Sequence, residues 1–143
     1  MTLTEELAMG IMKPTKRYLG NPLFLSRKKS KDFKFIKEKV LHRIEGWQTK
    51  LLSWAGKATL IKTYVLPIPQ YTMSTSALPK EICHDMDSMV RRLWWCGSQE
   101  KTRFLALKSW ESLCKLKSCG VLGFRRFEDF NKALLAKLYW NLA

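Results

Sequence analysis

Over residues 31–66 the apolar positions Phe33, Ile36, Val40, Leu41 and Ile44 recur at steps of three and four. That spacing predicts an α-helix with one face toward a core, and it leaves Lys31, Lys34, Lys39 and His42 on the opposite side. Gly46 is the natural stop. Trp47, Leu51 and Leu52 then fold the apolar surface back under the helix, and Ser53 stands where it would N-cap a second one. That second helix must end near Leu66, because Pro67 disfavours helical geometry in the residue before it. The pair has an apolar inside and a basic outside.

Further along, Ile82, Met86, Met89, Val90, Leu93 and Cys96 form a second stripe over Lys80–Cys96, with Pro79 where the first turn of a helix tolerates it. Asp85 and Asp87 in its first half and Arg91 and Arg92 in its second follow the order that a helix dipole favours. Trp94 and Trp95 fall on different sides of it. A short helical segment is predicted over 109–114 and a last helix over 128–142, where Phe130, Leu134 and Leu138 align with Phe127 and Leu135 at the edges. Pro67 and Pro69 bracket a break, and Tyr71, Met73 and Leu78 then read as extended or irregular up to Pro79. Tyr18 to Leu23 is a turn with Gly20 and Pro22 as breakers. Leu7, Met9, Ile11 and Met12 leave room for a short strand or the start of a helix. The fold expected is mainly α, with four or five amphipathic helices in a bundle and a short N-terminal strand or hairpin. Its segments are 1–25, a basic helical pair over 26–66, and a second helical segment over 67–143. The last ends inside an apolar helix without a cap, the pattern of a truncated unit.

Charge changes this picture. The 143 residues carry 26 Lys and Arg against 12 Asp and Glu, a formal net charge of +14. Such an excess favours nucleic acid or an anionic surface over a small-molecule substrate. No apolar run approaches the roughly 18 residues of a membrane span. Glu5 and Glu6 stand where a transit peptide avoids acids, and the four cysteines form no disulfide frame, which points to a reducing intracellular compartment. The charge is densest at Arg27, Lys28, Lys29 and Lys31 and continues through Lys34, Lys37, Lys39 and Arg43, with Asp32 and Glu38 the acids among them. A solvated face accounts for such a run too; its continuity along one helix favours contact with a phosphate backbone.

Catalytic chemistry finds little to use. Nucleotidyl transfer needs carboxylates that hold two divalent metals a few ångströms apart. Asp85 and Asp87, two positions apart on a helix, face different ways. Ribonuclease H chemistry needs a comparable acidic cluster, which the scattered acids do not supply. Cys83, His84, Cys96, Cys114 and Cys119 are potential zinc ligands, yet no Cys-x2-Cys pair occurs among them. The glycine-flanked stretch 119–124 lacks the strand before it and the Lys-Ser/Thr after it that a nucleotide loop needs. No catalytic residue, metal or cofactor is assigned. His42 reads as solvent-side or near phosphate. Of the six tryptophans, Trp47, Trp54, Trp110 and Trp140 read as core, since indoles at helical spacing among leucines are more often packed than stacked on bases. Trp95 is left open.

These residues also carry a resemblance. Tyr18-Leu19-Gly20 with Pro22-Leu23, Ser26-Arg27-Lys28-Lys29, Arg43-Ile44-Glu45-Gly46-Trp47, Leu51-Leu52-Ser53 with Ala55-Gly56, and Ala58-Thr59-Leu60-Ile61-Lys62 form its first half. Tyr71-Thr72-Met73-Ser74, Leu78-Pro79-Lys80, Arg91-Arg92 with Trp94-Trp95, Ser109-Trp110-Glu111, Gly123-Phe124-Arg125 and the run from Phe130 to Lys137 form its second. In this order the chain resembles the segment after the palm in plant LINE-type (non-LTR) retrotransposon reverse transcriptases, found also as small plant open reading frames, mitochondrial ones included. The resemblance implies a palm-to-thumb connection over 1–25, then a helical thumb that holds a template–primer duplex. Arg27, Lys28, Lys29, Lys31 and Lys34 would face phosphates of RNA or DNA without reading sequence, and a palm from another chain would be a second partner. The family's aromatic-x-Asp-Asp signature is absent, so the resemblance implies a non-catalytic fragment. Cys96-Gly97 replaces the family's paired glycines, Ala106-Leu107 its His-Trp, and Gly120-Val121 the start of its Gly-Gly-Leu-Gly turn. Those departures fit the rival reading, a structural relic or interaction module of the same origin.

Overall fold

In the computed structural model, which describes residues 17–22, 25–47, 52–96, 105–115, 118 and 122–143, the chain begins with a hairpin. Strands β1 (Arg17–Tyr18) and β2 (Asn21–Pro22) pair antiparallel, with Tyr18 opposite Asn21. Leu19 and Gly20 between them both take positive φ, 50° and 86°. That is the two-residue turn whose twist suits paired strands, and glycine enters it without steric penalty.

Helix α1 (Lys29–Asp32) is one turn long and runs through Phe33 into α2 (Lys34–Glu45), which ends at Gly46. Phe33, Phe35, Ile36, Val40 and Ile44 are buried, the expected stripe with Phe35 added and Leu41 only half-buried at its edge. Phe35 lies with the Arg17 guanidinium carbon 3.9 Å from its ring centre and Lys39 Nζ 5.5 Å away, so cations screen its outer side.

Helix α3 (Trp54–Leu60) starts at Ser53, whose hydroxyl accepts the Gly56 N–H at 3.1 Å. It continues into a π-helical turn (Ile61–Val65), closed by the Leu66 N–H on the Ile61 carbonyl at 3.0 Å. The Thr59 and Thr63 hydroxyls donate to the carbonyls of Ala55 and Thr59, the back-bonding that bends and widens helices. The helix ends before Pro67, as the sequence predicts.

Helix α4 (Gln70–Thr75) corrects the extended reading of Tyr71 and Met73. Pro69 already has near-helical geometry, φ −85° and ψ −3°, and its carbonyl accepts the Met73 N–H at 2.8 Å. A first-turn proline needs no N–H, so it starts this helix where the sequence reading took it for a break. Helix α5 (Lys80–Cys96) has the predicted bounds, and Ile82, Cys83, Met86, Met89, Val90, Leu93 and Trp94 are its buried face. Helix α6 (Trp110–Leu113) is capped by the Ser109 hydroxyl on the Ser112 N–H. Helix α7 (Phe127–Leu142) follows.

α5 is the axis of the packing. It contacts α2, α3 and α7, while α4 lies along α7. The mainly α expectation holds, with three one- or two-turn helices beside the longer ones. Trp110 is buried, Trp47 half-buried edge-on to Tyr64, and Phe124 sits between Trp94 and Trp110. Two tryptophans expected in the core are not there: Trp54 is 54% exposed and Trp140 84%. Trp140 falls on the last turns of α7, beyond the stretch whose buried residues are Phe127 and Asn131. Trp54 opens a helix with no buried residue of its own.

Cys83, Cys96 and Cys114 are free thiols. Among the described residues no helix is long and apolar enough to cross a membrane. Leu7, Met9, Ile11, Met12, Leu51 and Cys119 lie outside the described residues.

Candidate nucleic-acid interface

Basic residues at the start of the helical pair line a groove of about 700 Å³. Arg27, Lys28, Lys29 and Lys31 form one wall, and Leu78, Pro79, Lys80 and Glu81, at the start of α5, form the other. The four cations are exposed. Their backbone is held by short side chains. Asp32 accepts the Ser26 N–H at 2.6 Å, the Ser26 hydroxyl donates to the Lys28 carbonyl at 3.0 Å, and Ser30 donates to Glu81 at 2.9 Å. The loop is thus tied to itself and to α5 without using a lysine or arginine. Arg27, Lys28, Lys29 and Lys31 make no ion pair among the described residues.

Lys34, the fifth predicted residue, stands apart from the groove lining and pairs with Glu38 at 3.8 Å, both well exposed. Such a pair contributes little and is readily exchanged for a phosphate contact. Lys37 acts differently, bridging to Asp85 at 2.5 Å and so joining α2 to α5. Lys80 is the cation that sequence reasoning missed. It sits beside Arg27 to Lys31 only because α5 begins against α1, and its 3.8 Å pair with Glu128 also ties it to α7. Local charge counting has no signal for that. Glu128 is held below its usual range first by the hydrogen bond from Lys132; burial opposes that, and the charges of Lys132, Lys80 and Arg126 add to the lowering.

Asn131 was also missed as an organising residue. It is 5% exposed on the inner face of α7. Its Oδ1 accepts the Leu78 N–H at 2.9 Å, while Nδ2 donates to the carbonyls of Met73 and Ser76 at 2.7 and 2.9 Å. One amide therefore ends α4 and fixes the turn that presents Leu78 to Glu81 to the groove. A polar residue four positions after buried Phe127, on an otherwise apolar face, is the signal that pointed to it. On the far side of the same turn Asn21 accepts from Thr72 at 2.7 Å and donates to Thr75 at 2.9 Å, which fastens the hairpin to α4.

Of the acids of α5, Glu81 lies in the groove wall, and Asp85 and Asp87 are separate from it. Asp85 serves Lys37. Asp87 accepts the Phe127 N–H at 3.3 Å, supplying the cap that Arg126 does not. Burial pushes the Asp87 carboxyl up to about 6, against the bond from Phe127. The Trp110 indole N–H bears on the same carboxyl and favours its charge, though its geometry falls short of a hydrogen bond. Burial, with the Asp87 charge next, pushes the Cys83 thiol up to about 11 and the Cys114 thiol up to about 12, so both are inert neutral hydrophobes. Among the described residues no three His, Cys, Asp or Glu side chains are grouped as a metal would need.

The chain is 36% identical over 121 residues to an Arabidopsis thaliana protein named "Putative ribonuclease H protein", which covers 85% of this chain and 19% of that one. It is 40% identical over 73 residues to an Arabidopsis thaliana "Uncharacterized mitochondrial protein", covering 50% of this chain and 47% of that one. The chain thus spans less than half the length of either relative. No protein-family model matches it, and no solved structure does. The two relatives fit a plant open reading frame of retrotransposon origin.

Proposed function

We propose that the chain is a non-catalytic, thumb-type fragment of a LINE-like reverse transcriptase that holds the phosphate backbone of an RNA–DNA template–primer. The observation that carries this reading is the groove lined by Arg27, Lys28, Lys29, Lys31 and Lys80, with its backbone braced by Ser26, Ser30 and Asp32 rather than by its cations. Long, solvated cations in a row hold phosphates as point charges and carry no base readout, so binding is expected to be independent of sequence. A palm supplied by another chain is a second partner on this reading.

The relative's name raises ribonuclease H activity as the alternative. The chain corresponds to 19% of that protein, and the acids of α5, Glu81, Asp85 and Asp87, are engaged singly by the Ser30 hydroxyl, Lys37 and the Phe127 N–H. Two-metal hydrolysis needs carboxylates converging on one point, an arrangement those partners work against. A structural or interaction role is the other alternative, and the exposed Tyr139, Trp140 and Leu142 at the end of α7 favour it.

One preparation tests all three. With a labelled RNA–DNA primer–template, nucleotides and Mg²⁺ or Mn²⁺, the full chain is expected to retard the hybrid at low salt, to extend no primer and to cut no RNA. Extension or cleavage that survives controls for contaminating enzymes would assign it an activity. Failure to bind the hybrid at low salt would leave the structural role.

A further inference from the structure

We propose that a second site, the indole-walled slot between α3 and the end of α5, stacks an unpaired nucleobase, so that the preferred ligand is a duplex continuing into a single strand. The inference rests on the phosphate-binding reading above and names the form of nucleic acid bound. The slot holds about 490 Å³ and is lined by Trp54, Trp94, Trp95, Leu107, Lys108, Leu113 and Leu122. Trp54 lies 5.0 Å from the Trp94 ring and 6.1 Å from Trp95, centre to centre, yet keeps 54% of its surface exposed. An aromatic shelf is thus held rigidly from behind with its front open.

Charge selects the occupant. Lys57 Nζ stands 4.8 Å from the centre of the Trp54 ring and is fixed by the Trp94 carbonyl at 3.4 Å. Lys57 thus stands beside the slot, Lys108 lines it, and no carboxylate is among the described residues that line it. An apolar segment of protein would gain nothing from those ammonium groups. A nucleotide matches both features, a flat π-face for the indole and a phosphate for the lysines, and stacking is tolerant of sequence because every base has such a face. The volume lies toward the lower end of ordinary ligand pockets, room for a nucleotide or two and not for a duplex. Lys80 and Trp94 are 14 residues apart on one helix, about 21 Å or roughly six phosphate spacings along a strand, so one molecule with an overhang can reach both sites.

The test compares three RNA–DNA hybrids of equal duplex length: one blunt, one with a single-stranded overhang of about ten thymidines, and one with an abasic overhang of the same length and charge. The full chain is expected to bind the thymidine overhang roughly tenfold more tightly than the abasic one, the gain that one stacked base supplies. Trp54→Ala is expected to abolish that ratio while leaving blunt-hybrid affinity unchanged; Trp54→Phe, which keeps a ring against Trp94, is expected to retain part of it and covers the case in which Trp54→Ala unfolds. Equal affinity for the two overhangs would overturn the slot as a base site while leaving the basic groove standing if blunt hybrid still binds. A thymidine preference that depends on Trp54, together with a blunt-hybrid affinity that removal of the groove lysines leaves unchanged, would instead overturn the groove and keep the slot. Self-association of the free protein that Trp54→Ala abolishes would give the slot to a second copy and overturn the proposal.

Discussion

Asn131 and Lys29 are both polar residues on helices, yet Asn131 is 5% exposed with three hydrogen bonds to buried or half-buried backbone, while Lys29 stands in solvent on the wall of a groove. The difference follows from what each group can satisfy. A neutral amide has an acceptor and two donors that match a helix end, so it can enter the core with its polar atoms paired. An ammonium taken from water without a carboxylate would be left uncompensated. The fold therefore braces the loop at 26–32 with small side chains and keeps the long cations outside. Changes around Asn131 should be read in stability, and changes along the groove in binding.

The sharpest test of that division is Asn131→Ala. It strands the Leu78 N–H and the Met73 and Ser76 carbonyls together, an expected loss of about 2–4 kcal/mol and a fall in Tm of roughly 10 °C. Thermal and denaturant unfolding would measure it; a Tm within about 2 °C of the parent would mean that water replaces the amide and the lock is ornamental.

Asp87→Asn should act in the opposite direction and more weakly. Burial pushes the Asp87 carboxyl up from 3.8 to about 6, so the folded chain keeps a proton that the unfolded chain has released between about pH 4 and 6. This contribution to stability is fully present below about pH 4 and is lost as pH rises through about 6. The amide keeps an oxygen for the Phe127 N–H and removes the titration. At pH 7.5 the variant is expected to exceed the parent by about 1 kcal/mol, the shift discounted for the carboxyl's partial exposure, and the gap should close on acidification toward pH 4. The attraction of Arg126 and His84 for the Asp87 carboxylate is already counted in that net shift and is lost with the charge, as is the push of that charge on the Cys83 and Cys114 thiols. A variant less stable than the parent at pH 7.5 would show that the charge itself holds α7.

The smallest stability effect is expected for Lys28, Lys29 and Lys31 changed together to Ala. These side chains are exposed and unpaired by ions among the described residues, so the triple change should move stability by less than about 0.5 kcal/mol and leave helix content intact. A larger loss would mean that the groove wall is structural.

What the sequence made legible was periodic. The 3.6-residue stripe from Phe33 to Ile44, the Ser53 cap, the stop before Pro67 and both bounds of α5 could be read directly, because each is a local rule with a local signal. The groove was half-legible: Arg27 to Lys31 are neighbours in the chain, whereas Lys80 joins them only through the packing of α5 on α1. Helix α4 was misread because a proline that starts a helix and one that breaks it look alike until the next turn is known. Trp54 and Trp140 were assigned to the core on residue type, but burial depends on which elements reach them: α5 backs Trp54 on one side only, leaving it 54% exposed, and Trp140 is 84% exposed. Asn131 did break the apolar pattern of α7, and its partners 53 to 58 positions away were beyond any local rule.

The central claim, that a built groove and not bulk charge holds the duplex, is tested most directly by the salt dependence of blunt RNA–DNA hybrid binding. With four or five phosphates neutralised by Arg27, Lys28, Lys29, Lys31 and Lys34 or Lys80, a plot of log affinity against log salt should fall with a slope near −4. Changing Lys28, Lys29 and Lys31 to Ala should flatten it by about three units, roughly one per lost contact. Changing Lys115 and Lys137, exposed cations on other elements, should leave the slope nearly as it was. Equal flattening per charge removed from the two sets would show that the attraction is the diffuse field of a +14 chain, and would contradict the account.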